Sequence, residues 1–307
     1  MKTGALILAA GSALDPNGSI PLSLYKVGAV SAIQRLILTF DRAKTEPIVI
    51  VSGSTSDKLE KHVARLKVVC LRNPNYGQTE MFESVKIGLR YLREKCDQVL
   101  VTPVDVPLFI LDTVEALIQS GEKLAAPVYN GIKGHPVLIS GELIPTLMEY
   151  SEGGGLRAAI RHCGQDCKLI PVEDQGVLID IETEQDYSEV LSAHSLRQLH
   201  PRVKVSLAKE ELFFGSGSAH LLSLIETTGS VRLACQQMGL SYSKGWKMIA
   251  VMERQWGLQI VQRQQGGKHG GEAFVTSEGK RLAERFRKFE QGSKEAVEAI
   301  FHQYFDV

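Results

Sequence analysis

Long apolar runs are missing from the 307 residues, and no stretch reaches the ~18 residues that cross a bilayer. The opening Met-Lys-Thr-Gly-Ala-Leu-Ile-Leu also lacks a cleavable secretory pattern. The chain is therefore expected to be cytoplasmic, with no membrane partner. Cysteine is scarce: Cys70, Cys96, Cys163, Cys167 and Cys235 form an odd, scattered set, and Cys163 and Cys167 are too far apart for a C-x2-C metal knuckle. They are read as buried, reduced thiols. There is no net charge, with 35 basic against 35 acidic residues, and no repeat or low-complexity tract. What is present excludes a disordered or collagen-like chain, because 44% of the residues are hydrophobic. A length about twice that of an ordinary domain predicts two cores.

The neutral total divides unevenly. Through Leu199 the net charge is −4, and from His200 onward it is +4. The hydrophobic rhythm changes at the same place, from short β-branched runs alternating with amphipathic stretches to an almost entirely helical pattern. This sets domains at 1–195 and 208–307, joined by a linker at 196–207. In the first domain, the runs at Ala5–Ala10, Ile48–Val51, Val68–Leu71, Val99–Thr102 and Leu124–Val128 read as buried strands. Val30–Phe40, Thr79–Arg93 and Leu111–Ser120 read as the helices that cross between them. The result is a three-layer α/β domain, in which ligands bind at the carboxyl ends of the strands.

The loops at those ends hold the candidate chemistry. Leu8-Ala9-Ala10-Gly11-Ser12 is a turn of small residues, which lets backbone N–H groups approach a phosphate. It is neither a G-x-G-x-x-G nor a G-K-[ST] loop. Pro103-Val104-Asp105-Val106-Pro107 holds a carboxylate between prolines at a strand end, as a metal ligand at a nucleotide site would be held. Asp180 offers a second carboxylate, while His135 and Arg157 sit on Gly-rich turns. A helix cap, a satisfied loop histidine and a solvated charge are the plain alternatives for Asp105, His135 and Arg157.

In their order, LILAAGS, the NPNYG segment leading to Ser84, PVDVP, KGHPV, GGGLR and VLIDIETEQDY resemble the MobA-like nucleotidyltransferase family, especially its molybdenum-cofactor cytidylyltransferase branch, over about residues 4–192. The resemblance implies a Rossmann-like nucleotidyltransferase domain that moves a nucleotidyl group from a nucleoside triphosphate to a phosphorylated acceptor of the molybdopterin type, using Mg2+ and releasing pyrophosphate. It implies catalytic, metal-associated roles for Asp105 and Asp180, and nucleotide contacts from Leu8, Ala9, Ala10, Gly11, Ser12, Ser84 and His135. The family's loop, L-A-A-G-x-S-x-R-M-G-x-x-K, places Ala13 at its Ser, Asp15 at its Arg, Asn17 at its second Gly and Ile20 at its Lys. Glu80 stands where a glycine is usual. Both phosphate-binding cations are thus replaced, and such contacts commonly contribute ~10²–10³ each in rate. Lys26 is the nearest substitute cation.

The second domain reads as helix, helix, turn, helix, hairpin, helix. Ser230 and Ser241 cap helices on either side of a turn at Gly239, and Gln259–Arg263 with Glu272–Thr276 flank the Gly-rich segment 264–271. Because that segment returns as a strand, it is a wing and not a phosphate cradle. The residues from Phe214 to Gly279 resemble the winged helix-turn-helix domain of ModE-like molybdenum-responsive regulators, through MGLSYSKGW and GGKHGG above all. That resemblance implies a mainly α domain that binds DNA as a homodimer, with Ser241, Tyr242, Ser243, Lys244 and Lys247 on the groove-facing helix and Arg263, Lys268 and His269 on the wing. Leu282, Phe286, Phe289, Ser293, Ala296 and Ile300 follow the spacing of a pairing seam. Two readings follow: a DNA-binding regulator whose first domain senses a nucleotide or molybdopterin-type ligand, or a working cytidylyl- or guanylyltransferase that also binds DNA.

Overall fold

The computed structural model describes residues 1–11, 14, 19–182, 188–196, 201–263, 273–301 and 303–305. The chain forms two compact units, Met1–Arg197 and Gln198–Val307.

The first unit is built on an eight-stranded sheet. Seven strands run in the spatial order Lys168–Pro171, Leu124–Tyr129, Val137–Ser140, Gln98–Pro103, Thr3–Ala9, Ile48–Ser52 and Val68–Arg72, with Ile132–Lys133 paired to Leu124–Tyr129. Every residue of Thr3–Ala9 and Ile48–Ser52 is buried, because helices cover both faces. That is why these strands read as continuous apolar runs. The helices Ala32–Arg42, Met81–Leu92 and Leu111–Gln119 lie where periodicity places them. The sheet is mixed and not wholly parallel: Val137–Ser140 runs antiparallel to both of its neighbours. A short connection through Ile132–Lys133 brings the chain back there, with no room for a crossover helix.

The second unit opens with antiparallel strands Ser206–Ala208 and Leu212–Gly215. Residues 206 and 207, read from the sequence as linker, are thus paired; three residues of strand are too few to give an alternation signal. Helix Ser216–Thr228 ends on Gly229, and Ser230 caps Val231–Gln237 by accepting from the Leu233 N–H. Ser241 caps Tyr242–Trp256 in the same way through Lys244. A hairpin of Val261–Arg263 with Ala273–Val275 follows, then helix Ser277–Phe301. The Glu253 carboxylate accepts from the Ile260 and Val261 N–H groups and so ties the hairpin to the preceding helix. The core gathers Phe214, Leu221, Ile225, Ile249, Met252 and Phe286, with Phe214 set edge-on to Phe286 at 5.1 Å. Among the described residues, no helix is long and apolar enough to cross a membrane.

Candidate functional site

Register brings the carboxyl ends of two central strands together, because Leu8 pairs with Pro103. The Val104 N–H donates to the Leu8 carbonyl, so the Ala9-Ala10-Gly11 turn and the Pro103–Pro107 turn emerge side by side. The Ile181 N–H then donates to the Asp105 carbonyl at 2.8 Å, which draws Asp180 in from 75 residues away. Oxygens of Asp105, Asp180 and Glu182 lie within 4.8 Å of one another. Glu182 was not singled out by the sequence reading. Its position two residues from Asp180 was the available signal, and its N–H closes a turn on the Asp180 carboxylate.

A buried carboxylate holds this geometry from behind. Asp174 accepts from the Ile110 N–H, the Thr113 hydroxyl and the Gly176 N–H. It thereby clamps the segment leading to Asp180 onto the start of helix Leu111–Gln119. Gly176 is required here, since a Cβ would stand 1.9 Å from the Leu108 carbonyl oxygen. The same segment accepts the His135 N–H through the Val177 carbonyl, fixing the Lys133–Pro136 turn beside the acids.

The electrostatics follow from this crowding. Burial, then the negative charges of Asp180 and Glu182, push Asp105 from its ordinary 3.8 up to about 6, and its Oδ1 is buried with no partner among the described residues. Three carboxylates that repel one another, one of them with an unmet oxygen, form a donor set suited to a hard divalent cation such as Mg2+. His135 is pushed down to about 4 by burial and by Lys133, so its ring is neutral, with Nδ1 buried and unpartnered among the described residues.

Two adjoining cavities meet at Asp105. A smaller one of about 260 Å³ is bounded by Leu8, Ala9, Ala10, Gly11 and Ser84. A larger one of about 1490 Å³ includes His135, Lys133, Arg157, Asp105 and Asp180. Ser84 is almost fully buried, and its hydroxyl accepts from the Asn73 side chain. The structure therefore brings together Leu8, Ala9, Ala10, Gly11, Ser84, Asp105, His135 and Asp180; Ser12, Ala13, Asp15 and Asn17 lie outside the described residues. Ile20 is exposed, as is Lys26.

In the second unit Ser241, Tyr242, Ser243, Lys244 and Lys247 are all exposed at the start of helix Tyr242–Trp256. Arg263 stacks 3.5 Å from the centre of the Trp246 ring, and Tyr242 meets Trp246 edge-on. This places Arg263 beside the helix bearing the two lysines. Lys268 and His269 lie outside the described residues.

A mixed, helix-covered sheet with acids and a small-residue turn at its strand ends defines a nucleotidyltransferase-type domain. The chain belongs to the MobA-like NTP transferase domain family, whose model matches residues 5–167. It is 26% identical over 145 residues to the molybdenum cofactor cytidylyltransferase of Escherichia coli K12, covering 46% of this chain and 71% of that protein. Two further similarities are partial. The molybdenum-pterin-binding protein MopB of Rhodobacter capsulatus is 33% identical over 78 residues, 25% of this chain and 29% of its own. The DNA-binding transcriptional dual regulator ModE of Escherichia coli K12 is 29% identical over 92 residues, 30% of this chain and 35% of its own. The chain thus spans about a third of each of those two proteins. In fold it is similar to a nucleotidyl transferase from Methanothermobacter thermautotrophicus, with a TM-score of 0.53 and 16% identity over 64% of this chain and 98% of that one.

Proposed function

We propose that the chain is a DNA-binding regulator of molybdenum metabolism whose MobA-like unit senses a nucleotide or molybdopterin-type ligand. The observation that carries this reading is the exposed start of helix Tyr242–Trp256, with Lys244, Lys247 and the stacked Arg263 on one region of a unit ordered as helix, turn, helix, hairpin. That is the order of a winged helix-turn-helix, and the partial similarity to ModE supports it. The helix start would enter the major groove, and Arg263, Lys268 and His269 would follow the phosphates. A homodimer paired along the last helix, where Phe289 and Ile300 are about half exposed, would read an inverted repeat with half-sites ~34 Å or a multiple apart. A salt-titrated gel shift with the full chain tests this, and absence of binding at low salt would count decisively against it.

The second reading, an active cytidylyl- or guanylyltransferase, is favoured by the acids. Asp105, Asp180 and Glu182 would hold Mg2+, which when bound would offset charge on the phosphates. Neutral His135 would offer a ring nitrogen to a ligand for hydrogen bonding. Against turnover stand Asp15 and Ile20 in place of cations. Incubation with Mg2+, each triphosphate and molybdopterin should release little pyrophosphate, and Asp15→Arg with Ile20→Lys should raise it, by up to ~10² or more. Brisk wild-type transfer that Asp105→Ala abolishes would establish the second reading over the first.

A further inference from the structure

The described cations around the two cavities are confined to one of them. Among the described residues, no lysine or arginine lines the smaller cavity, and its acids, Glu80 and Asp105, border both cavities. The sequence from Thr3 to Tyr25 contains no basic residue either. The larger cavity carries Lys133, Arg157 and Arg161 beside the acids Glu80, Asp105, Asp166 and Asp180. Both arginine side chains are exposed, and neither has an acidic partner among the described residues. Lys133 reaches the wall through its Nζ contact with Cys167 Sγ at 3.2 Å.

A triphosphate concentrates its charge on the terminal groups and is held by cations and N–H groups placed around them. On the Gly11 side of this site those groups would meet Glu80 and no described cation. The lysine and arginine side chains lie on the opposite side. Size points the same way, because about 1490 Å³ exceeds the ~300–1,000 Å³ of an ordinary small-molecule site. The two cavities border the same residues, Leu8, Glu80, Met81, Pro103 and Asp105, so a ligand lying across these residues would reach both.

Building on the ligand-sensing reading above, we infer that this site selects a diphosphate diester, two organic groups joined by a P–O–P bridge, and discriminates against nucleoside triphosphates. One organic group occupies the smaller cavity, the bridge passes the acids, and the second half lies in the larger cavity against Lys133, Arg157 and Arg161. Nucleotidyl transfer onto a phosphomonoester produces compounds of this class. The unit therefore reads the product of such a reaction.

Calorimetry on the full chain in Mg2+ tests this with three matched pairs: CDP-choline against CTP, GDP-mannose against GTP, and FAD against ATP. At least one diester should bind ~10-fold or more tightly than its triphosphate. Arg157→Gln with Arg161→Gln, two exposed positions of small expected effect on stability, should remove most of that preference. Asp15→Arg with Ile20→Lys should move it toward the triphosphate. Equal or tighter triphosphate binding, no binding of any probe, or a preference untouched by the Arg157/Arg161 double substitution would overturn the inference. A gel shift on the same protein separates the outcomes: no DNA binding with diester preference intact removes the regulator and leaves the ligand class standing, and the converse removes only the ligand class.

Discussion

Asp105 illustrates how one side chain is placed against its own stability. Its folded value, about 6, lies above the ordinary 3.8. The folded protein therefore holds this proton more tightly than the unfolded chain, and stability falls as pH rises between those two values. At neutral pH the ionised group costs on the order of 2–3 kcal/mol. Asp105→Asn should consequently raise the melting temperature of the first unit at pH 7.5 in EDTA, by roughly 4 °C or more, and the gain should shrink at pH 4.5. Addition of Mg2+ should stabilise the wild type and not the variant. A melt series over pH 4.5–7.5 in which Asp105→Asn never exceeds the wild type would show that the acids do not repel one another as described. Metal affinity should rise through pH 5–6 and level off above, as the proton on Asp105 ceases to compete.

Elements in this chain are joined by close approaches that local preference alone would discourage. Gly245 lies inside helix Tyr242–Trp256, where replacing Gly by Ala ordinarily gains about 0.5–1 kcal/mol. Here a Cβ would stand 2.2 Å from the Sγ of buried Cys235 on the preceding helix. Overpacking of that kind costs about 1–3 kcal/mol, so the clash outweighs propensity. Gly245→Ala should therefore lower the denaturation midpoint, and adding Cys235→Ala should restore much of the loss in a double-mutant cycle. Strict additivity of the two substitutions would place the cost elsewhere. In the first unit Asp174 has the corresponding role. With three donors converging on it in a buried position, Asp174→Ala should cost about 3 kcal/mol and weaken any binding that depends on Asp180. A chemical-denaturation curve paired with a ligand titration would read both effects.

For the molecule as a whole, the last helix is where assembly should be decided. Leu282 and Phe286 of its seam are buried within their own unit, whereas Phe289, Ala296 and Ile300 are exposed further along. An apolar stripe left open on a 25-residue helix is the feature by which two copies would pair. Truncation after Glu290 should shift the protein toward monomer in sedimentation and weaken binding to an inverted repeat more than to a half-site. Lys268→Ala should weaken binding to all sequences and lower the slope of log K against log salt by about one, if Lys268 meets a single phosphate. Lys244→Ala should alter sequence preference as well. A truncated protein that stays dimeric would assign the pairing to other surfaces.

Sequence alone determined the strands and caps, because their signals are local. Five buried strands are legible as unbroken apolar runs, since both faces of each are covered, and Ser230 and Ser241 mark helix starts through hydrogen bonds confined to a few residues. The motifs around Gly11, Asp105, His135 and Asp180 were legible too, as residues of suitable chemistry. Tertiary structure decided the rest. The antiparallel insertion of Val137–Ser140, the meeting of Asp105 with Asp180 and Glu182, the anchoring of that segment by Asp174, and the sorting of cations to one cavity all depend on contacts between residues far apart in the chain. No local periodicity encodes such contacts, because their energies arise only once the sheet register has brought the strand ends together.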